Sequence, residues 1–376
     1  MYTSVKKTFP RTYYYIALAL LFSLYMLVNP SLVISCAGEA VVLFTSQLLP
    51  ALFPFMIVIQ LLIKIDGRNV MGLLFRPAAR IFRIDPAYAG PIFAGVSAGY
   101  PNGAVALKNT YAGSGHIYTA LALCSAASPM YMLGTVGQII LQNNRYGVII
   151  LGCHYAGLAA TALLVRAFDG RYSPPCHYKP EGGRKGGSGL FDTLEDVMLQ
   201  CGKVMVKILG FIILFRILSQ TFVQYLLLPS GIKEPAANLL SAMIKGVFEM
   251  AEGCSYAGVL PGNRACIVIS FILGFGGLSV VFQIMSVLRG LPVRLRGLLL
   301  VKLLHGLLSA ALCAAVFAVY GGEASAAINS AQAAVKGVPA RAPLYLYMLA
   351  GCVLFLAARQ CPRIWVRFCR TMSRFR

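Results

Sequence analysis

Charged side chains, and acidic ones above all, are scarce in this chain. Of its 376 residues, 12 are Asp or Glu and 33 are Lys or Arg, so that 12% of the chain is charged while 58% is hydrophobic. A soluble domain carries about 25% charged residues. Half that share, together with repeated apolar runs of roughly 20 residues, excludes an ordinary soluble domain and predicts a polytopic α-helical membrane protein.

Metal-binding and disulfide patterns are missing as well. The 11 cysteines are scattered, without a CxxC pair or the Cys/His spacing of a zinc site. Cys176 and His177 are adjacent, but adjacency alone is weak grounds for a metal site. We therefore expect no metal and no cofactor, and we expect most cysteines to serve as small apolar side chains.

Common catalytic motifs are absent too. The sequence contains neither an HExxH zinc-protease motif nor a Walker A phosphate-binding loop. An enzymatic interpretation would depend on Glu249 and Glu252 alone. We therefore expect a carrier rather than an enzyme.

The net charge of +21 does not require a nucleic-acid partner. Most cations lie between the apolar runs, where the positive-inside rule and anionic lipid headgroups account for them. Lys6, Lys7 and Arg11 place the N-terminus in the cytoplasm, and the basic stretch after residue 359 places the C-terminus there too. We expect an integral membrane protein that contacts lipid and binds no nucleic acid.

The apolar runs predict an all-α fold with about eight transmembrane helices. The predicted crossings are residues 13–35, 38–64, 117–141, 146–166, 203–228, 264–288, 298–320 and 343–359. Residues 86–110 are too interrupted for a crossing and predict a re-entrant hairpin, and residues 236–260 could form a second one. If residues 264–288 are also re-entrant, the number of crossings falls to seven.

The order of these elements predicts two inverted repeats. The second crossing starts outside the cell and the crossing at 203–228 starts inside, and each is followed by a hairpin-like element and two further crossings. The chain then divides into an N-terminal transmembrane helix at 1–36, a first repeat at 37–166, a basic cytoplasmic linker at 167–190, a second repeat at 191–320, and a last transmembrane helix with a basic cytoplasmic tail at 321–376.

Small and polar residues interrupt the apolar sequence at residues 95–103 in the first half. Irregular backbone inside a membrane is tolerated only where it is buried in protein or lines a polar cavity. Exposed amides at the start of a half-helix attract an anion, and glycines let a solute approach the backbone. A packing kink is the alternative. The substrate-binding candidates of this segment are Ser97, Gly99, Tyr100, Pro101, Asn102 and Gly103.

A matching interruption lies at residues 274–279 in the second half. Three glycines within four residues favour an opened helix, although small residues also serve close helix packing in membranes. The candidates here are Gly274, Gly276, Gly277, Ser279 and Gln283. Ser125, Ser128 and Pro129 break the crossing at 117–141 and are expected to line the same cavity, with Ser128 and Pro129 as binding candidates.

Glu249 and Glu252 are the carboxylates that lie well inside an apolar stretch. Placing a carboxylate in a membrane is costly, so both are candidates to bind a cation, a proton or a solute. The alternative is a structural pair with Lys245, four residues before Glu249. Lys302 stands near the start of a late crossing, where we expect it to extend to the membrane interface.

The order and spacing of these segments resemble a known family. Residues 97–104, Ser128 with Pro129, residues 248–253, and residues 273–279 with Gln283 resemble the sporulation integral-membrane proteins of the nucleoside-recognition Gate superfamily. Those proteins are distant relatives of concentrative nucleoside transporters. The resemblance covers nearly the whole chain from the second crossing onwards.

The resemblance implies Gate-like inverted repeats with re-entrant hairpins, in a bacterium that forms spores. It also implies a role in stage V sporulation, in which dipicolinic acid moves from the mother cell to the forespore across the outer forespore membrane. Dipicolinate is a small planar dianion, which hairpin tips with exposed amides would suit. The expected partner is therefore a small organic anion; the coupling ion and a homo-oligomeric state stay open.

One departure argues against nucleoside selectivity. Nucleoside transporters carry a signature of the Asn-Glu-Phe type, whereas this chain has Phe248, Glu249 and Met250 at that place. Nucleoside or nucleobase transport therefore remains the second carrier hypothesis. A sporulation scaffold that recruits partners through residues 167–190 and the basic tail is the alternative from another class.

Overall fold

The computed structural model describes residues 11–66, 70–111, 116–169 and 190–320. Within these ranges the chain is helical and contains no β-strand. The chain divides into two compact units, Met1–Ala318 and Val319–Arg376, and every described residue except the last two belongs to the first unit. The predicted last crossing and basic tail at 321–376 lie outside the described residues.

Three α-helices and a π-helical stretch begin the described chain. They are α1 (Arg11–Val28), α2 (Pro30–Leu43), the π stretch Phe44–Leu48, and α3 (Leu49–Asp66). The break falls at Asn29, because Pro30 starts a new helix and a residue before proline disfavours helical geometry. The predicted crossings at 13–35 and 38–64 therefore had the wrong boundary, since residues 30–66 are helical without a turn near residue 36.

The rest of the first half contains a surface-type helix, a hairpin and an interrupted helix. The helices are α4 (Val70–Ile81), α5 (Ala89–Ala98), α6 (Tyr100–Thr110), α7 (Ile117–Cys124), the π helix Tyr131–Ile140, and α8 (Asn144–Asp169), with a 3-10 turn at Pro86–Tyr88 before α5. We call α5 and α6 hairpin 1. We call α7, the non-helical residues 125–128 and the following π helix interrupted helix 1.

The second half repeats this order. Its helices are α9 (Leu190–Phe222), the π turn Val223–Leu227, the 3-10 turn Leu228–Ser230, α10 (Ala236–Phe248), α11 (Met250–Ala257), α12 (Gly262–Phe275), α13 (Gly277–Val287) and α14 (Leu295–Tyr320). We call α10 and α11 hairpin 2, and α12 with α13 interrupted helix 2. Of the predicted linker 167–190, residues 167–169 end α8 and residue 190 starts α9; residues 170–189 lie outside the described ranges.

Each half thus contains a long helix, a helical hairpin, an interrupted helix and a second long helix. Glycines allow the two arms of each hairpin to touch. A methyl group added to Gly103 would lie 2.7 Å from the Cα of Gly95, and one added to Gly253 would lie 2.1 Å from the Cα of Gly246. The hairpin predicted at 86–110 and the second one considered at 236–260 are therefore both present as helical hairpins.

Four helical segments of the described chain are long and apolar enough to cross a membrane. They are Pro30–Leu62, Asn144–Asp169, Gly262–Val287 and Leu295–Val319. The chain is therefore a helical membrane protein by length and composition of its helices. Residues 262–287 count as one such segment although Gly276 interrupts them. The number of eight crossings stays a prediction.

Candidate functional site

The tip of hairpin 1 is a single glycine. Gly99 has φ 92° and ends α5 while it starts α6, a conformation that L-residues rarely adopt. The tip lies against interrupted helix 1, since a methyl group added to Gly99 would lie 3.4 Å from the backbone nitrogen of Ser128. Gly99 and Ser128, two of the candidates, are therefore neighbours.

The polar side chains of hairpin 1 bind neighbouring helices. Asn102 is buried; its amide donates to the carbonyl of Ala98 at 3.0 Å, and its oxygen accepts from the amide of Gln60 in α3 at 3.1 Å. Tyr100 donates its hydroxyl to the carbonyl of Leu273 in α12. Both side chains thus hold hairpin 1 in place, and Tyr100 does so against the second half of the chain.

Interrupted helix 1 opens at residues 125–128, as the sequence predicted for Ser125, Ser128 and Pro129. The opened backbone is held by side chains. Ser128 Oγ accepts the amide of Tyr131 at 3.2 Å and so starts the π helix, and the Nε2 of the buried His154 in α8 accepts the amide of Ala127 at 3.0 Å. Ser125 Oγ is buried and has no hydrogen-bond partner in the described structure.

Hairpin 2 turns at Glu249, whose backbone is extended between α10 and α11. Its buried carboxylate accepts the amide of Glu252 at 2.7 Å and caps α11. Sequence reasoning did not identify this capping role, because Ser, Thr, Asp and Asn are the usual capping residues at a helix start and Glu is not. Both glutamates lie close to the hairpin tip, with Glu249 before α11 and Glu252 in its first turn.

Glu252 is the centre of a buried charge network. Lys245 donates to its Oε1 at 2.5 Å, Ser219 donates to its Oε2 at 2.8 Å, and Arg216 Nε lies 3.8 Å from Oε1. Arg216 also pairs with Glu39 of α2. Lys245 thus pairs with Glu252 rather than with Glu249. The network ties hairpin 2 to α9 and to the N-terminal part of the chain.

Interrupted helix 2 opens at Gly276 and Gly277, which have φ of 82° and 74°. A methyl group on Gly277 would lie 3.1 Å from the backbone nitrogen of Met250, so this break lies against the tip of hairpin 2. Gly274 serves packing instead, because a methyl group there would lie 2.6 Å from the Cα of Gly306 in α14. Each hairpin tip therefore meets the interrupted helix of its own half.

Lys302 is a functional candidate that the sequence analysis placed wrongly. We expected it to extend to the membrane interface, but it is 0% exposed. Its Nζ donates to the carbonyl of Ser125 at 2.8 Å and lies 4.5 Å from the ring centre of Tyr100. Lys302 therefore reaches from α14 to the opened backbone of interrupted helix 1, across 177 residues of sequence, which no local pattern could indicate.

The two hairpin tips and the opened residues of interrupted helix 1 surround a cavity of about 30 Å³. Its lining includes Gly99, Tyr100, Pro101, Ser128 and Met250. A cavity of this volume has room for about one water molecule. Hairpin 1, hairpin 2 and interrupted helix 1 therefore converge at this cavity and leave little space between them.

The other candidates do not line this cavity. Ser97 and Gly103 are buried within hairpin 1, Ser279 and Gln283 are buried in α13, and Pro129 is half-buried. Ser279 Oγ is buried without a hydrogen-bond partner among the described residues. The structure therefore brings four of the candidates together at one cavity and distributes the rest around it. These four are Gly99, Tyr100, Pro101 and Ser128.

Residues 95–99 match the GxSxG pattern of serine hydrolases, so an expectation that this motif is absent from the sequence is wrong. In those enzymes the serine stands on a sharp turn between a strand and a helix. Here Ser97 lies inside α5. The pattern therefore occurs without the turn that presents such a serine. The described residues also contain no group of three His, Cys, Asp or Glu side chains that could hold a metal ion.

Comparisons with known proteins identify a relative among sporulation proteins. The chain is similar to the sporulation integral membrane protein YlbJ of Bacillus subtilis, with 26% identity over 293 residues that cover 69% of this chain and 72% of the relative. No family model and no solved structure matches the chain. The similarity is to an integral membrane protein, which agrees with the apolar helices.

Proposed function

We propose that this protein is a membrane carrier for a small organic anion, dipicolinate, and that it acts in sporulation. The observation that carries the carrier proposal is the convergence of two hairpin tips and an opened helix at one buried cavity. Carriers built from two repeats place their solute site between such broken helices. Backbone amides and close-approaching glycines at those breaks would bind the solute.

The chemical class of the substrate follows from the charge beside the cavity. Lys302 is fully buried and pairs with no carboxylate among the described residues. A lysine at this place would supply positive charge to a negatively charged solute. The sporulation role follows from the similarity to YlbJ, and dipicolinate follows from the resemblance of the sequence to the Gate superfamily.

The proposed topology has eight crossings in two inverted Gate-like repeats, with both termini in the cytoplasm. The same order of elements in both halves supports the repeats. The proposed location is the outer forespore membrane of the sporulating bacterium. In this arrangement the carrier is closed, because a ring with two carboxylates does not fit a cavity of about 30 Å³. Transport then requires the hairpin tips and interrupted helices to separate.

The proposal is tested by uptake of radiolabelled dipicolinate into proteoliposomes that contain the purified chain. We expect saturable uptake by the wild type and its loss in Gly99→Leu, because Gly99 has φ 92° and lies against Ser128. Gly38→Leu is the matched control, since a methyl group at Gly38 would meet no atom within 4 Å. The control should transport like the wild type.

Three other results would change the proposal. Uptake of uridine without uptake of dipicolinate would establish the nucleoside carrier instead. No uptake of either solute under a proton or a sodium gradient would favour the scaffold. Dipicolinate uptake that Gly99→Leu leaves intact would keep the carrier but remove its site from the hairpin tips.

A further inference from the structure

Lys302 is a fully buried lysine to which the described part of the molecule supplies no carboxylate partner. Among the described residues, the buried Lys245 has a carboxylate 2.5 Å away, whereas Lys302 has none within ion-pair distance. Burying a charge without a partner costs several kcal/mol, on the order of the effective penalty seen in real proteins. A lysine buried in this way within a membrane protein is a candidate for function.

Neutral groups surround Lys302 in the described structure. Its ammonium contacts one carbonyl, that of Ser125, and the ring face of Tyr100. His305, one turn further along α14, has its Nε2 3.0 Å from the carbonyl of His154, and the two rings lie 4.5 Å apart. Ser125 Oγ is buried without a partner in the described structure. An ammonium and a free hydroxyl at one place suit a carboxylate.

The position of Lys302 connects it to the cavity. Tyr100 lines the cavity, and Ser125 belongs to the same opened segment as the lining residue Ser128. The ammonium therefore contacts both hairpin 1, through Tyr100, and interrupted helix 1, through Ser125. These two elements have to separate when the carrier opens. Once the tip of hairpin 1 leaves residues 125–128, Lys302 would be open to an entering solute.

We propose that Lys302 binds a carboxylate of the transported anion. In the closed state, the carbonyl of Ser125 and the ring of Tyr100 contact the ammonium instead of that carboxylate. This assignment rests on the proposed function. The ammonium exchanges a neutral carbonyl and a ring face for a charged acceptor, and the Ser125 hydroxyl gains a partner. Lys302 thereby determines that the site selects solutes by their carboxylates.

The test measures binding of three pyridine compounds that differ in charge: dipicolinate, pyridine-2-carboxylate and pyridine-2,6-dicarboxamide. In the wild type we expect affinity to fall in that order. Lys302→Gln keeps a donor for Ser125 and removes the charge, and should weaken dipicolinate binding by roughly 10- to 150-fold, the range for a hydrogen bond to a charged group. Binding of the dicarboxamide should change less than about threefold on the same reasoning.

The controls separate charge from structure. Lys302→Arg keeps the charge and should keep the order of the three ligands, and Lys207→Gln removes an exposed charge and should change nothing. Equal weakening of all three ligands by Lys302→Gln, or unchanged dipicolinate binding in that folded variant, would overturn the assignment. Wild-type protein that binds none of the three ligands would overturn the proposed function, and the assignment with it.

A measurement on the unsubstituted protein applies if Lys302→Gln does not fold. A membrane-permeant amine reagent labels lysines as the carrier opens, and peptide mass spectrometry gives the rate at each site. Saturating dipicolinate should slow labelling of Lys302 several-fold and leave the exposed Lys207 unchanged. Equal rates at Lys302 with and without dipicolinate would contradict a contact between them.

Discussion

Substitution of Lys245 by Met tests whether the charge network stabilises hairpin 2. Lys245 and Glu252 both have side chains that are 2% exposed, and their charged atoms lie 2.5 Å apart. Met has a similar length and no charge, so Lys245→Met removes the cation while it leaves most of the packing. The Glu252 carboxylate would then remain buried without its closest partner.

The expected loss of stability follows from what is left around Glu252. Removal of one member of a buried ion pair costs about 3–5 kcal/mol, because the other charge remains uncompensated. Ser219 at 2.8 Å and Arg216 at 3.8 Å would still contact the carboxylate. We therefore expect a loss near the lower end, about 3 kcal/mol. Adding Glu252→Leu to this variant should recover part of the loss, since neither charge of this pair is then buried without the other.

The assay is reversible unfolding of the purified protein in detergent micelles, compared with a matched surface pair. Lys64 and Asp196 lie 3.8 Å apart with side chains 35% and 50% exposed. The same substitution there, Lys64→Met, should cost less than about 1 kcal/mol. The reasoning is refuted if Lys245→Met costs no more than Lys64→Met, or if the effects of Lys245→Met and Glu252→Leu simply add.

Three smaller perturbations can be measured in the same unfolding assay. Gly277→Ala should lower the free energy of unfolding by about 1–3 kcal/mol because of backbone strain. The loss should exceed that of Gly231→Ala, since both residues have positive φ but only the methyl group at Gly277 would meet backbone atoms at 3.1 Å. Equal losses in the two variants would contradict tight packing at that break. Gly253→Ala should cost about 1–3 kcal/mol by forcing the arms of hairpin 2 apart, and an unchanged stability would contradict the close approach of the arms. Asp169→Asn should cost about 1 kcal/mol, since the carboxylate accepts both the amide and the hydroxyl of Thr119 at 2.7 Å at the start of α7; a gain in stability would contradict that capping role.

The interruptions were predictable because they are written in local sequence. Runs of glycine and small polar residues cannot continue an apolar helix without cost, so the breaks at Gly99, Gly276 and residues 125–128 fall where the sequence placed them. The helix boundary at Asn29 was missed because apolar residues both precede and follow Pro30. Apolar character indicates that a span exists but locates its ends poorly.

The partners of the charged residues could not be predicted in the same way. Lys302 with Ser125 and Arg216 with Glu39 are 177 residues apart in sequence, and Tyr100 with Leu273 are 173 apart. A lysine near a helix start usually extends its stem along apolar surface to reach water. That rule failed for Lys302 because residues from the first half of the chain, Tyr100 and Ser125, cover its ammonium group. Only the fold reveals which charges share a buried space.

The two hairpins are attached to the rest of the protein by different forces. Hairpin 2 is fixed to α9 through the Glu252 carboxylate, which lies 3.8 Å from Arg216 and accepts a hydrogen bond from Ser219, and such charged contacts are expensive to separate in a medium of low dielectric. Hairpin 1 is fixed by hydrogen bonds between uncharged groups, such as the one from Gln60 to Asn102. Each such bond contributes only about 0.5–1.5 kcal/mol.

In the proposed carrier, an opening movement would therefore meet less resistance at hairpin 1 than at hairpin 2. The tip of hairpin 1 is also the element that separates Lys302 from the cavity, through the ring of Tyr100. The weaker of the two attachments and the unpaired cation thus occur at the same place. A substrate carboxylate that binds Lys302 would replace the ring of Tyr100 as the partner of the ammonium, and this links the movement of hairpin 1 to the arrival of an anion.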